Sequence, residues 1–140
     1  MPLLITTELR DELVAHARAV APEEAIGVVL SDGLSDRVVR LNNVAPAATR
    51  RSRYEADPAQ WLQVSQEMED REEGVRVVYH SHPRTEAVPS PYDIAHATYP
   101  GATYVIVSLA QPGPKLRAWR MLGGGMAQEV RLVVLSPSRE

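Results

Sequence analysis

The chain has 140 residues and no cysteine, with 44% hydrophobic and 24% charged residues and a formal net charge of −3. The length suits one domain with a sizeable core, and the composition is that of a globular protein. Disulfides, thiol nucleophiles and cysteine-based zinc sites are excluded, and the acidic balance disfavours nucleic acid as a partner. We interpret the short basic run at residues 50–53 as a solvated loop.

Nothing in the sequence points to a membrane or to export. No run approaches the roughly 18 consecutive apolar residues of a membrane span. The first residues, MPLLITTELRDELV, lack the basic region that precedes the apolar part of a signal peptide. We therefore expect a cytoplasmic protein.

Strands and helices alternate in the first half of the chain. Residues 7–20 repeat apolar side chains at helical spacing, whereas residues 25–30 (AIGVVL) form a continuous apolar run typical of a buried strand. Asp57 and Pro58 open a second helix, because Asp is a good N-cap and Pro suits the first helical position. This half predicts strands at 3–6, 25–30, 37–44 and 53–56 and helices at 7–20 and 58–72.

The second half continues the alternation and ends in a hairpin around Gly123–Gly125. It predicts strands at 75–80, 103–109, 115–122 and 126–135 and a helix at 90–99. Interleaved helices and strands indicate an α/β or α+β layered fold, with a mixed β-sheet flanked by helices. We expect residues 1–135 to form a single domain and residues 136–140 a frayed tail.

Two histidines stand where the strand at 75–80 leaves the sheet. Residues i and i+2 of a strand point to the same face, so His80 and His82 can direct both imidazoles into one cleft. Pro83 then turns the chain away. A lone His-x-His occurs by chance, but α/β folds commonly place their sites at this end of a strand.

The segment Ser90-Pro91-Tyr92-Asp93 has two compatible interpretations. It is a good helix start, with Ser as N-cap, Pro at the first position and an acidic third position. The same cap would hold Asp93 at the cleft as a third ligand. Two imidazoles and one carboxylate leave the fourth tetrahedral position of zinc open for water, as in catalytic sites.

A carboxylate that could act on such a water stands before the buried strand. Glu23 and Glu24 are neighbours there, and a charge entering a buried strand is costly, which favours a functional role. Because neighbouring residues of a strand face opposite ways, only one should enter the cleft. Spacing alone leaves open which of the two it is.

These residues together resemble a known family. Glu24, then His80-Ser81-His82-Pro83, seven intervening residues, Ser90 and Asp93 are similar to the signature of the JAMM (MPN+) zinc metallopeptidases, in a bacterial branch similar to sulfur-carrier cysteine peptidases. The resemblance covers most of the chain. It implies one Zn²⁺ per chain bound by His80, His82 and Asp93, with Glu24 as acid/base and Ser90 stabilising the oxyanion. It also implies the MPN fold, which is similar to that of cytidine deaminases.

The resemblance further implies the substrate. Bacterial members are thought to hydrolyse a peptide or isopeptide bond after the C-terminal diglycine of a small ubiquitin-like or sulfur-carrier protein. The chain is too short for the long inserted loops that resemble the substrate-gripping segments of eukaryotic deubiquitinases, which puts linkage specificity for polyubiquitin in doubt.

Apolar sheet edges often pair, so a homodimer is a candidate assembly.

Two other classes remain open at this point. One is a catalytically silent MPN scaffold or partner-binding module, and the other is a non-haem iron oxygenase with two histidines and a carboxylate. Of the remaining histidines, we expect His16 to be solvated on the first helix. His96 follows Asp93 by about one helical turn, and we do not count it as a ligand.

Overall fold

The computed structural model describes residues 1–99 and 101–136, and three helices and eight strands lie within them. Their order is β1 (Leu3–Thr6), α1 (Thr7–Val20), β2 (Ile26–Ser31), β3 (Asp36–Leu41), α2 (Pro58–Asp70), β4 (Gly74–His82), α3 (Pro91–Ala95), β5 (Thr103–Ser108), β6 (Lys115–Gly123), β7 (Met126–Val130) and β8 (Leu132–Leu135). Among these helices none has the length and apolar character needed to cross a membrane.

Six strands form one mixed sheet in the order β3-β2-β4-β5-β6-β7. The pair β4 and β5 is parallel, and every other neighbouring pair of this sheet is antiparallel. Strands β1 and β8 form a separate parallel pair. The predicted mixed sheet with flanking helices is thus confirmed, and β4 lies inside it between β2 and β5.

Core residues lie on both faces of the sheet because side chains of the central strands alternate between the two faces. One group joins α1 and β1 to the face that carries Val77 and Tyr79. Another joins α2 to the face that carries Val78 and Tyr104. Since His80 and His82 follow Val78 at spacings of two, they belong to the α2 face.

Three predicted elements differ most from the structure. The strand expected at 126–135 breaks at Arg131, because β8 leaves β7 to pair with β1. The helix expected at 90–99 ends at Ala95, and the strand expected at 53–56 is a single bridge between Asn43 and Ala56. Residues 137–140 of the predicted tail lie outside the described residues, and the single domain at 1–135 stays a prediction.

The prediction for His16 is wrong. Its side chain is buried on the inner face of α1, and its Nδ1 lies 2.6 Å from the hydroxyl of Tyr79. Burial, aided by the charge of Arg40, lowers the pKa of His16 to about 4, so the imidazole is neutral near pH 7. Leu9 and Leu13 precede it at helical spacing, and this spacing, not the charged neighbours, decides its burial.

Gly27 is required by the packing of Tyr79, its partner across the β2–β4 pair. A Cβ built on Gly27 would overlap the phenol ring of Tyr79, which is fully buried and therefore has little room to move. We expect Gly27→Ala to lower the free energy of unfolding by roughly 2–3 kcal/mol, measured by urea denaturation. Gly74→Ala is the control, because a Cβ there meets no atom within 4 Å. Equal stability of the two variants would contradict this account of Gly27.

Candidate metal centre

His80 and His82 lie at the end of β4, which runs two residues beyond its predicted end at His80. Both side chains are buried, with exposed fractions of 0% and 4%. Their position is set by the pairing of His80 with Ile26 of β2 and with Ile106 of β5. The backbone on which the two imidazoles stand is therefore held from both sides.

Asp93 reaches the same place from the start of α3. Its N–H donates to the Ser90 hydroxyl oxygen (3.1 Å), and the Ser90 N–H donates to Asp93 Oδ2 (2.9 Å), which forms a capping box. The predicted helix start at Ser90 is confirmed. The cap fixes the carboxylate of Asp93, whose exposed fraction is 1%, beside the two histidines.

The three side chains converge on one point. The Nε2 atoms of His80 and His82 are 3.2 Å apart, and they lie 3.1 Å and 3.0 Å from Asp93 Oδ2. In a tetrahedral zinc site with bonds of 2.0–2.1 Å, neighbouring ligand atoms are about 3.3 Å apart. Two nitrogens and one carboxylate oxygen at this spacing fit a zinc ion, and these three residues could hold it.

The hydrogen bonds around His82 suit metal binding as well. Its Nδ1–H donates to the carbonyl oxygen of Glu86 (2.7 Å), so Nε2 carries the lone pair towards the cluster when the ring is neutral. Asp93 Oδ1 is buried and has no hydrogen-bond partner among the described residues. A cation would satisfy such an oxygen, which supports the fit of the donor set.

The electrostatics of the cluster favour a charged Asp93 carboxylate beside a neutral His80 imidazole. Burial acts to lower the pKa of His82, but its hydrogen bonds with Asp93 and with the Glu86 carbonyl outweigh burial and raise that pKa. Burial lowers the pKa of His80. Burial also acts to raise the pKa of Asp93, but the hydrogen bonds with His80 and His82 outweigh it and hold that pKa well below its usual range. Asp93 is therefore an anion at neutral pH, as a ligand of a divalent cation must be.

Glu24, not Glu23, is the buried carboxylate at the start of β2. Its exposed fraction is 3%, whereas Glu23 is half-buried. Burial raises the pKa of Glu24 to about 8, and the charges of His82 and Asp93 are close enough to contribute with opposite signs. Glu24 Oε1 has no hydrogen-bond partner within the described part of the chain. Of the two neighbouring carboxylates, Glu24 is thus the buried one, and its catalytic role stays a prediction.

Two residues beside the site were not predicted. The Asn43 amide nitrogen donates to the carbonyl oxygens of Glu24 and Arg53, both at 3.0 Å, so it ties the backbone of Glu24 to a distant loop. The ring of Tyr54 packs on His80 with 4.7 Å between ring centroids. His96, as expected, lies outside the ligand cluster; it is exposed and stacks on Tyr92.

Two imidazoles, a carboxylate and a buried glutamate on a mixed sheet define a candidate metallohydrolase centre. The chain belongs to the prokaryotic JAB family, because the family model described as prokaryotic homologs of the JAB domain matches residues 6–122. The CysO-cysteine peptidase of Mycobacterium tuberculosis is 40% identical over 128 residues, which cover 91% of this chain and 88% of the relative. A probable TtuB-protein conjugate cleaving protease of Thermus thermophilus is 35% identical over 133 residues, covering 95% and 83%.

Solved structures share the fold of this chain. The protein DSY2949 from Desulfitobacterium hafniense has a TM-score of 0.80 and 28% identity, covering 96% of this chain and 94% of the other. AF2198, a JAB1/MPN domain protein from Archaeoglobus fulgidus, has a TM-score of 0.57 and 19% identity, covering 96% and 97%, and shows the fold alone. The predicted JAMM/MPN+ resemblance, the MPN fold and the hydrolase class are confirmed. The scaffold and oxygenase alternatives are correspondingly disfavoured.

Proposed function

We propose that this protein is a zinc-dependent metallopeptidase that cleaves after the C-terminal diglycine of a small ubiquitin-like or sulfur-carrier protein. The observation that carries the proposal is the convergence of His80, His82 and Asp93, whose ligand atoms lie within 4.8 Å of one another. The buried Glu24 close to this cluster supplies the group that moves protons. The names of the two relatives support a peptide or isopeptide bond next to a carrier protein as the substrate.

Each residue of the site has a distinct task in this proposal. His80 and His82 bind through Nε2, and Asp93 binds through its carboxylate. Zinc, when bound, supplies a Lewis acid and a water whose pKa is lowered towards about 7. The Glu24 carboxylate takes the proton of the attacking water and returns a proton to the leaving amine nitrogen. The water oxygen forms a bond to the glycine carbonyl carbon, and the bond between that carbon and the amine nitrogen breaks.

We assign Ser90 to the developing oxyanion. Its hydroxyl oxygen already accepts the N–H of Asp93 at 3.1 Å, so the hydroxyl hydrogen is available for donation. A donor aimed at the charge that develops in the transition state accelerates the reaction without tightening substrate binding.

The Ser90 assignment predicts two separable effects. Ser90→Ala should lower kcat about 10²–10³-fold through the lost donor. It should also lower the free energy of unfolding by about 1 kcal/mol through the lost cap. Ser90→Gly is the matched variant, because glycine replaces a capping serine at a cost of only a few tenths of a kcal/mol. Steady-state kinetics and denaturation of both variants check the assignment, and a fully active Ser90→Gly would refute it.

Zinc-loaded protein and carrier proteins with C-terminal extensions test the proposed function. Glycine lacks Cβ and permits the closest backbone approach to a metal, so we expect cleavage immediately after Gly-Gly, read by mass spectrometry. A carrier with Gly-Ala in place of Gly-Gly is the control and should be cleaved much more slowly. Zinc chelation should abolish cleavage, whereas inhibitors of serine and cysteine proteases should not. Hydrolysis of unfolded casein at the rate of the diglycine carrier would contradict the proposal.

The setting of the reaction is part of the same proposal. We place the enzyme in the cytoplasm, where carrier proteins with free tails are made, and we assign it neither nucleic acid nor membrane as a partner. The single domain at residues 1–135 would act on its own or as a homodimer, which stays a prediction. Size-exclusion chromatography with light scattering distinguishes the two states.

A further inference from the structure

A basic loop, residues 42–54, is hydrogen-bonded to the backbone of the proposed acid/base residue. The N–H of Glu24 donates to the carbonyl oxygen of Arg50 at 2.7 Å. The amide of Asn43 bridges the carbonyl oxygens of Glu24 and Arg53, and its Oδ1 accepts the N–H of Glu55. These bonds hold the loop at a set position next to the candidate metal centre.

The side chain of Arg53 is placed on an aromatic ring that borders the site. Its guanidinium carbon lies 4.7 Å from the ring centroid of Tyr92, the residue before Asp93. Tyr92 is itself held, since its hydroxyl donates to the carbonyl oxygen of Tyr54 at 3.3 Å. Stacking of this kind orders an arginine side chain while leaving its N–H groups free to bind a planar anion.

Arg53 also has no carboxylate partner in the part of the chain that the structure describes. Other arginines use both arms of the guanidinium on a carboxylate, as Arg37 does with Glu73 and Arg117 with Glu129. Within residues 1–99 and 101–136, Arg53 makes no ion pair. Residues 42–54 contain three arginines and no acidic residue, although the whole chain carries a net charge of −3.

We propose that Arg53, held on Tyr92, is a carboxylate-binding subsite that selects substrates with a carboxylate near the scissile bond. This inference rests on the proposed function and specifies the substrate further. The planar guanidinium would bind the carboxylate through two parallel N–H···O bonds. Two sources supply that group: the terminal α-carboxylate of the amino acid that is released, or an acidic side chain of the carrier protein next to its tail.

Two substrates on one carrier test the first source. One ends in Gly-Gly-Ala with a free carboxylate, and the other ends in Gly-Gly-Ala-amide. If the released residue supplies the carboxylate, the wild type should favour the acid over the amide about tenfold in kcat/KM, the effect of about 1.4 kcal/mol from a charge-assisted pair. Arg53→Gln should remove this preference by lowering kcat/KM for the acid substrate alone. Arg53→Lys, which keeps the charge but not the planar fork, should lose most of it.

Arg51→Gln is the control, because Arg51 is an exposed neighbour on the same loop without a side-chain hydrogen bond to any described residue. It should keep the wild-type preference. A second outcome is that Arg53→Gln lowers kcat/KM for the acid and the amide substrates by the same factor. In that case the second source is tested by neutralising the acidic residues beside the tail of the carrier. If wild type and Arg53→Gln then have equal kcat/KM on that carrier, the carboxylate that Arg53 binds belongs to the carrier. Persistence of the difference, or identical behaviour of wild type and Arg53→Gln on every substrate, would overturn the proposal.

Binding separates this inference from the proposed function. Zinc-loaded Glu24→Gln, whose kcat should be about 10²–10⁴-fold lower, can be titrated with both carriers by calorimetry. We expect Glu24→Gln to bind the acid, or the carrier with its acidic residues intact, about tenfold more tightly than the matching neutral carrier. Loss of this difference in Glu24→Gln/Arg53→Gln would support the subsite even if no cleavage occurred. Equal binding of all carriers by the two proteins would reject it. Failure of cleavage with a retained preference in binding would reject only the proposed reaction.

Discussion

Replacement of Glu24 by glutamine is expected to lower kcat about 10²–10⁴-fold while zinc stays bound, since general acid–base catalysis contributes about this much. The amide has nearly the shape of the carboxylate, but it cannot accept the proton of the attacking water. The site should tolerate the neutral side chain, because Glu24 is buried and glutamine brings no charge into that environment. Steady-state kinetics and metal analysis of the same preparation give both values.

Glu23→Gln is the matched control for this variant. Glu23 is adjacent in sequence but only half-buried, whereas Glu24 is buried. We expect its kcat to stay within about twofold of the wild type, as is usual for substitutions away from a site. If the two variants exchanged phenotypes, the backbone register that brings Glu24 into the cleft would be wrong.

Replacement of Asp93 by alanine is expected to have the largest effect of any single change. It removes one of three ligands, so the zinc content should fall from about one ion per chain to near zero and activity should become undetectable. It also removes half of the capping box with Ser90. Metal content after extensive dialysis, together with activity, measures the first effect.

Asp57→Ala separates ligand loss from cap loss. Asp57 caps α2 through its side chain, which accepts the N–H of Ala59 at 3.0 Å, and it does not belong to the metal cluster. This variant should lose about 1 kcal/mol of stability but keep its zinc and its activity. A zinc-free Asp57→Ala, or an Asp93→Ala that retained a full equivalent of zinc, would contradict the assignment of ligands.

The parts of the fold that could be predicted are those in which local pattern and packing agree. Strands β2 and β5 are largely apolar runs and β4 is apolar over residues 77–79, and such runs are stable only when both faces are covered. The spacing of His80 and His82 on one of these strands places both imidazoles on the same face. The capping box at Ser90 is likewise local, so the position of Asp93 follows from four consecutive residues.

The parts that could not be predicted depend on distant partners. β8 pairs with β1 from the opposite end of the chain, and the residues next to Arg131 give no sequence signal for the change of sheet. His16 lies among charged residues, yet its partner, Tyr79, is 63 residues away. Asn43 looks like a loop residue until the structure brings the backbone of Glu24 and Arg53 to its amide.

The central claim, that His80, His82 and Asp93 bind one zinc ion, is tested most directly by diffraction. Crystals of the purified protein would be measured on both sides of the zinc absorption edge. We expect one anomalous peak per chain, about 2.0–2.2 Å from the two Nε2 atoms and a carboxylate oxygen of Asp93. Crystals grown with excess zinc that showed no peak among these atoms, or a peak only elsewhere on the chain, would contradict the claim.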